Sequence, residues 1–180
     1  MKQLSLAPTQ QLRRWFWILL VLNLLFIIGI GYYLRPLTSG QIVSFELARY
    51  PADAQQITTQ WANAGLTGKA QQSIYFDFLF ILLYTSGLAV ACIFIARLTG
   101  HEILVRCGKF LTYLLVIAGI CDVIENLSLL STLRGTISDW HITLAYDMAT
   151  TKFSLLMLAL LFIAVCLVYW ILGKLVRRRW

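Results

Sequence analysis

Residues 110–130 read FLTYLLVIAGICDVIENLSLL, and the fold turns on how that stretch is understood. A helix needs roughly 20 mostly apolar residues to cross a hydrocarbon core of about 30 Å, and this run is long enough. Yet Asp122, Glu125 and Asn126 lie inside it. Their spacing, i, i+3 and i+4, places all three on one helix face. Ala118 and Gly119 continue that face, and Ile117, Ile120, Ile124 and Leu127 cover the rest. A charged side chain near mid-membrane costs at least about 2.5–3.5 kcal/mol on insertion scales. Two of them in one span require partners or a task.

Three further segments have the same character, at about 15–33, 74–96 and 153–172. The 180-residue chain is 59% hydrophobic and only 13% charged, about half the charged share of an ordinary soluble domain. The expectation is an all-α fold. It is a polytopic four-transmembrane-helix bundle, one membrane domain over 1–180, with a small extracytoplasmic helical cap from 34–73. A signal peptide is a weaker account of the first segment. Its apolar run from Trp15 to Tyr33 exceeds the usual 7–15 residues, and Gly-Tyr-Tyr-Leu-Arg-Pro follows in place of a small-residue cleavage site.

The cap segment carries its own signals. Ile42, Phe45 and Ala48 give a short apolar face, with Glu46 and Arg49 set to pair at i, i+3. Pro51 breaks that helix and suits the first position of another, whose stripe is Ala54, Ile57 and Trp61 and whose stop is Gly65. The second membrane helix should begin early, near Thr67 or Gly68. Helices two and three should pack through Gly87, Ala91, Ala118 and Gly119, residues small enough for close approach.

Net charge is +7, but the basic residues follow the membrane ends and form no aromatic-interleaved stripe, which excludes nucleic acid as a partner. Lys2, Arg13, Arg14, Arg97, Arg106, Lys109, Lys174, Arg177, Arg178 and Arg179 fall on one side. Arg35, Arg49, Lys69, Arg134 and Lys152 fall on the other. The positive-inside rule then puts both termini in the cytoplasm, of a bacterial inner membrane by default. Cys92, Cys107, Cys121 and Cys166 form no CxxC, which argues against thiol redox chemistry.

This topology gathers the polar residues into the outer half of the bundle. Asp77 enters on helix two, with Tyr84 at about the depth of Asp122. Lys152 stands at the mouth of helix four, either snorkelling to the interface or reaching down toward Glu125. Tyr84 is either a packed aromatic with its hydroxyl satisfied or a proton donor. The ligand-binding candidates are Asp77, Tyr84, Asp122, Glu125, Asn126 and Lys152. No metal site is expected. His101 and His141 fall on opposite sides, and HExxH and ExxH are both missing. A hard cation on Asp77, Asp122 and Glu125 is the weaker alternative. Haem lacks an intramembrane histidine, and no cofactor is expected.

Three readings compete for the acidic face. The carboxyls tie helices together, as in a structural or assembly subunit of a membrane complex. They form an outward-facing site for a lipid-like or small ligand. Or one acts as a general acid or base, without a recognisable nucleophile beside it. The ligand site is the reading adopted, with membrane lipid as the partner. A transporter is a further class; four helices leave little room for alternating access, so it would need a homodimer or a larger complex. A cavity between helices two, three and four would favour the ligand site, and a dry, closed cluster would favour the structural role.

Overall fold

The computed structural model describes residues 9–177, and side chains through Leu175. Lys2, Arg178 and Arg179 of the orienting charges lie outside the described residues, as does the side chain of Arg177. Six helices and no strand occur among the described residues: α1 (Thr9–Tyr33), α2 (Ser39–Glu46), α3 (Pro51–Asn63), α4 (Thr67–Thr99), α5 (Glu102–Leu133) and α6 (Asp139–Arg177). Of these, α1, α4, α5 and α6 are long and apolar enough to cross a membrane. Each starts before or runs past the apolar segment read from the sequence, because a helix continues until something ends it. Gly100 ends α4 in a left-handed turn at φ 70°, a conformation that costs glycine no Cβ clash.

The short helices have local causes. Thr38 and Gln41 form a reciprocal capping box at the start of α2. The Gln41 N–H donates to Thr38 Oγ1 at 3.3 Å, and the Thr38 N–H donates to Gln41 Oε1 at 2.9 Å. Pro51 opens α3 at its first turn, and Gly65 follows its end at φ 68°. Both helices turn their apolar faces onto one end of the bundle. Phe45, Ala48, Ala54 and Trp61 are buried together with Ala70 and Ile74 of α4, Leu129 and Leu130 of α5, and Ile142 and Ala145 of α6. Phe45 and Trp61 meet edge to face at 5.1 Å.

The three helices α4, α5 and α6 form the body, and α1 lies mainly along α4. At the end away from the cap, Leu12 of α1 is buried with Val90, Ile93 and Phe94 of α4 and Cys166 of α6. Small residues set the closest approaches, with one reassignment. A Cβ on Gly119 would meet Thr85 and Ile81 of α4 at 3.1 and 3.3 Å, so Gly119 packs on helix two as expected. Gly87 does not face α5. A Cβ there would meet Asn23 Nδ2 of α1 at 2.9 Å. Asn23 needs that space, since its amide donates to Leu83 O of α4 at 3.0 Å as well as to Leu19 O at 2.8 Å. The tighter α4–α5 contact is at Gly108, where a Cβ would lie 2.9 Å from the Cys92 carbonyl oxygen.

Candidate functional site

The polar face of α5 opens between α4 and α6, and its three side chains divide. Asp122 and Glu125 turn to Lys152 of α6. Lys152 Nζ donates to Asp122 Oδ1 at 2.7 Å and to Glu125 Oε1 at 3.0 Å, and it lies 2.9 Å from Glu125 Oε2. Glu125 Oε2 receives no aligned hydrogen bond, so its buried charge is balanced by the ammonium alone. Asp122 accepts a second hydrogen bond, from the Tyr84 hydroxyl to Oδ2 at 2.7 Å. All four residues are buried, Glu125 completely. Such a cluster is closed off by the protein around it. The ammonium occupies the point on which the carboxylates converge, the place a hard cation would take. No group of three or more His, Cys, Asp and Glu side chains is arranged for a metal among the described residues.

Asn126 turns the other way. Its Nδ2 donates to Asp77 Oδ2 of α4 at 2.7 Å. Asp77 and Asn126 line a cavity of about 470 Å³, in the common range of roughly 300–1,000 Å³ for ligand pockets. The cavity is not between helices two, three and four. There Lys152 and Tyr84 meet the Asp122 carboxylate, and the opening lies between the ends of α1 and α4 with α2 across it and one edge of α5 behind. Its apolar walls include Phe26, Ile30, Phe76 and Phe80. Phe26 and Phe80 stack at 5.4 Å, which props α1 against α4 beside the opening. Lys69 holds α1 and α4 together nearer their ends. Its Nζ donates to Tyr33 O at 2.6 Å and lies 4.1 Å from that ring's centre.

Glu46 joins the two halves of the site. It is the last residue of α2 and lines the cavity, and its Oε2 lies 3.5 Å from Lys152 Nζ. Burial pushes its carboxyl above the ordinary 4.5, against the opposing pull of the Lys152 charge. The expected Glu46–Arg49 pair is therefore not formed. The helix ends at Glu46, so position 49 no longer shares its face, and the Arg49 guanidinium lies 5.5 Å from the Tyr146 ring centre instead. The capping box that precedes Glu46 was a readable signal for where α2 begins. The inward turn of Glu46 was not, since it depends on how residues 34–50 fold back over the bundle.

Of the six sequence candidates, four meet in the sealed cluster (Tyr84, Asp122, Glu125, Lys152) and two, Asp77 and Asn126, line the cavity. His101 and His141 are far apart in the fold, His101 beside Tyr169 near the far end of α6 and His141 at the start of α6 against Ser138. Compared with protein-family models, curated proteins and solved structures, the chain matches none.

Proposed function

We propose that this protein binds a lipid-like amphiphile in the cavity bounded by α1, α2 and α4. One observation carries the reading. A 470 Å³ opening in a membrane bundle is walled by Phe26, Ile30, Phe76 and Phe80 and also by the polar groups of Asp77, Asn126 and Glu46. A purely structural cavity in a bundle closes over apolar contacts. A cavity with both kinds of wall suits a molecule that has a head and a tail. Asp122, Glu125, Tyr84 and Lys152 serve as the rigid back wall, and Glu46 transmits its position to the cavity.

On this reading α2 and α3 face away from the cytoplasm and both termini face it, in a bacterial inner membrane. By sequence order, ten basic residues fall to the terminal side and five to the cap side, which supports that orientation. The amphiphile then comes from the outer leaflet. A second reading has its own support. The closed Lys152 cluster is what a non-catalytic assembly subunit would use to fix its bundle, and the broad apolar surfaces of α1 and α6 could meet another copy or a larger complex.

Gly31 separates them. It lines the cavity, and a Cβ there meets nothing within 4 Å. Gly31→Phe should narrow the opening, starting from a Cβ position that meets no neighbour. Lipid co-purifying with wild type and variant is measured by mass spectrometry, and melting temperature reports the fold. The reading expects a specific lipid lost from the variant with melting unchanged or raised. Equal lipid content in both proteins favours the assembly subunit.

A further inference from the structure

The cavity holds more acid than base, and this bears on what its occupant is. Its lining carries two carboxyl groups, Glu46 and Asp77, and one basic group, Arg35. Behind the wall lie Asp122 and Glu125, with Lys152 as the one ammonium shared by Asp122, Glu125 and Glu46. Acceptor capacity is also left over. Asp77 accepts one hydrogen bond, on Oδ2 from Asn126, and none on Oδ1 among the described residues. Glu46 has a single long charged contact, at 3.5 Å. Carboxylates short of donors in an apolar setting are costly, and a bound group that supplies N–H bonds and positive charge removes the deficit.

That chemistry sorts the membrane amphiphiles. A polyprenyl phosphate or an anionic phospholipid would bring like charge to Glu46 and Asp77. A neutral isoprenoid alcohol would supply one donor and no charge. A quaternary ammonium would supply charge and could sit against Phe45 and Trp61, which also line the cavity, but it has no N–H for Asp77. Resting on the amphiphile reading above, we propose that the cavity selects a lipid whose head is a primary ammonium. The ammonium sits between Asp77 Oδ1 and Glu46, and the chain runs along Phe26, Ile30, Phe76 and Phe80. Arg35, where the chain turns from α1 toward α2, is the one basic lining group and suits the phosphate of a zwitterionic head.

The test is a competition followed by native mass spectrometry. Delipidated full-length protein in detergent receives equal amounts of phosphatidylethanolamine, phosphatidylcholine and phosphatidylglycerol with identical chains. The ethanolamine lipid should be retained over either competitor by about tenfold or more, the worth of one charge-assisted hydrogen bond. Asp77→Asn keeps shape and should bring that ratio close to one, with Glu46→Gln lowering it in the same direction. Melting of both variants checks that the fold survives. Choline lipid bound as well as ethanolamine lipid overturns the primary-ammonium assignment, and so does selectivity that persists in both variants. If all three lipids bind alike and Gly31→Phe displaces them all, the ammonium assignment falls while the cavity reading stands. If Gly31→Phe displaces none, both fall.

Discussion

Lys152→Met removes the one ammonium at the centre of the sealed cluster and leaves its shape nearly intact. The cost can be worked from the geometry. Lys152 Nζ is 2.7 Å from Asp122, 2.9 Å from the nearer Glu125 oxygen and 3.5 Å from Glu46, and the lysine side chain is 5% exposed. Breaking a buried ion pair from one side costs about 3–5 kcal/mol, because the remaining charge stays buried without its partner. For a chain of this size each kcal/mol moves the melting temperature by about 2–4 °C, so the variant should melt roughly 6–20 °C lower. Combining Lys152→Met with Asp122→Asn and Glu125→Gln removes most of the stranded charge. The triple variant should recover at least half of the loss, since buried ion pairs replaced as a set are often neutral. Melting of wild type, single and triple variants in one detergent reads this out. A single variant within about 2 °C of wild type, or a triple variant worse than the single, would refute the claim that this cluster is closed and mutually dependent.

Two further predictions concern other elements. Burial raises the Glu46 carboxyl above its ordinary 4.5, so the folded protein holds that proton more tightly than the unfolded chain does. The stabilisation this gives is fully present below about pH 4.5 and is lost as pH rises through the folded value. Glu46→Gln should therefore gain on wild type as pH is raised from 4.5 to 7.5, in paired melting curves; a variant that loses ground to wild type over that window contradicts the sign. Gly108→Ala would place a methyl 2.9 Å from the Cys92 carbonyl oxygen, and overpacking of this kind costs about 1–3 kcal/mol. Gly29→Ala, where a Cβ meets nothing within 4 Å, is the control that should leave melting unchanged or raise it.

How far the sequence could be read depended on whether a signal was local. The four long helices follow from apolar length alone, the early start of α4 at Thr67 follows the turn at Gly65, and the start of α3 at Pro51 and the end of α4 at Gly100 follow from residue chemistry, although α2 stops at Glu46, before Pro51 could end it. Helical spacing put Asp122, Glu125 and Asn126 on one face, and that face does meet Tyr84, Lys152 and Asp77. Spacing could not say that the face would divide between two neighbours. It also gave Glu46 the wrong partner, because an i, i+3 pair presumes a helix that in fact stops at Glu46. The cavity was harder still. Within its apolar span α1 offers one polar residue, Asn23, which does mark the side that leans on α4, but nothing in its pattern says that its end stands apart beside α2. Gly87 illustrates the same limit. Its small size marks a close approach, yet only the fold shows that the approaching group is Asn23.

The most direct test of the central claim uses Trp61, which lines the cavity yet is buried from bulk surroundings. The other five of the six tryptophans (Trp15, Trp17, Trp140, Trp170 and Trp180) are changed to Phe, so that fluorescence reports Trp61 alone. The protein is reconstituted in bilayers whose lipids carry bromine on the acyl chain near the head, a quencher that acts at contact. A lipid chain inside the cavity predicts strong quenching of Trp61 that disappears when Gly31→Phe is added. Trp61 fluorescence that is unquenched in both proteins, or quenched equally in both, would contradict an amphiphile-binding cavity.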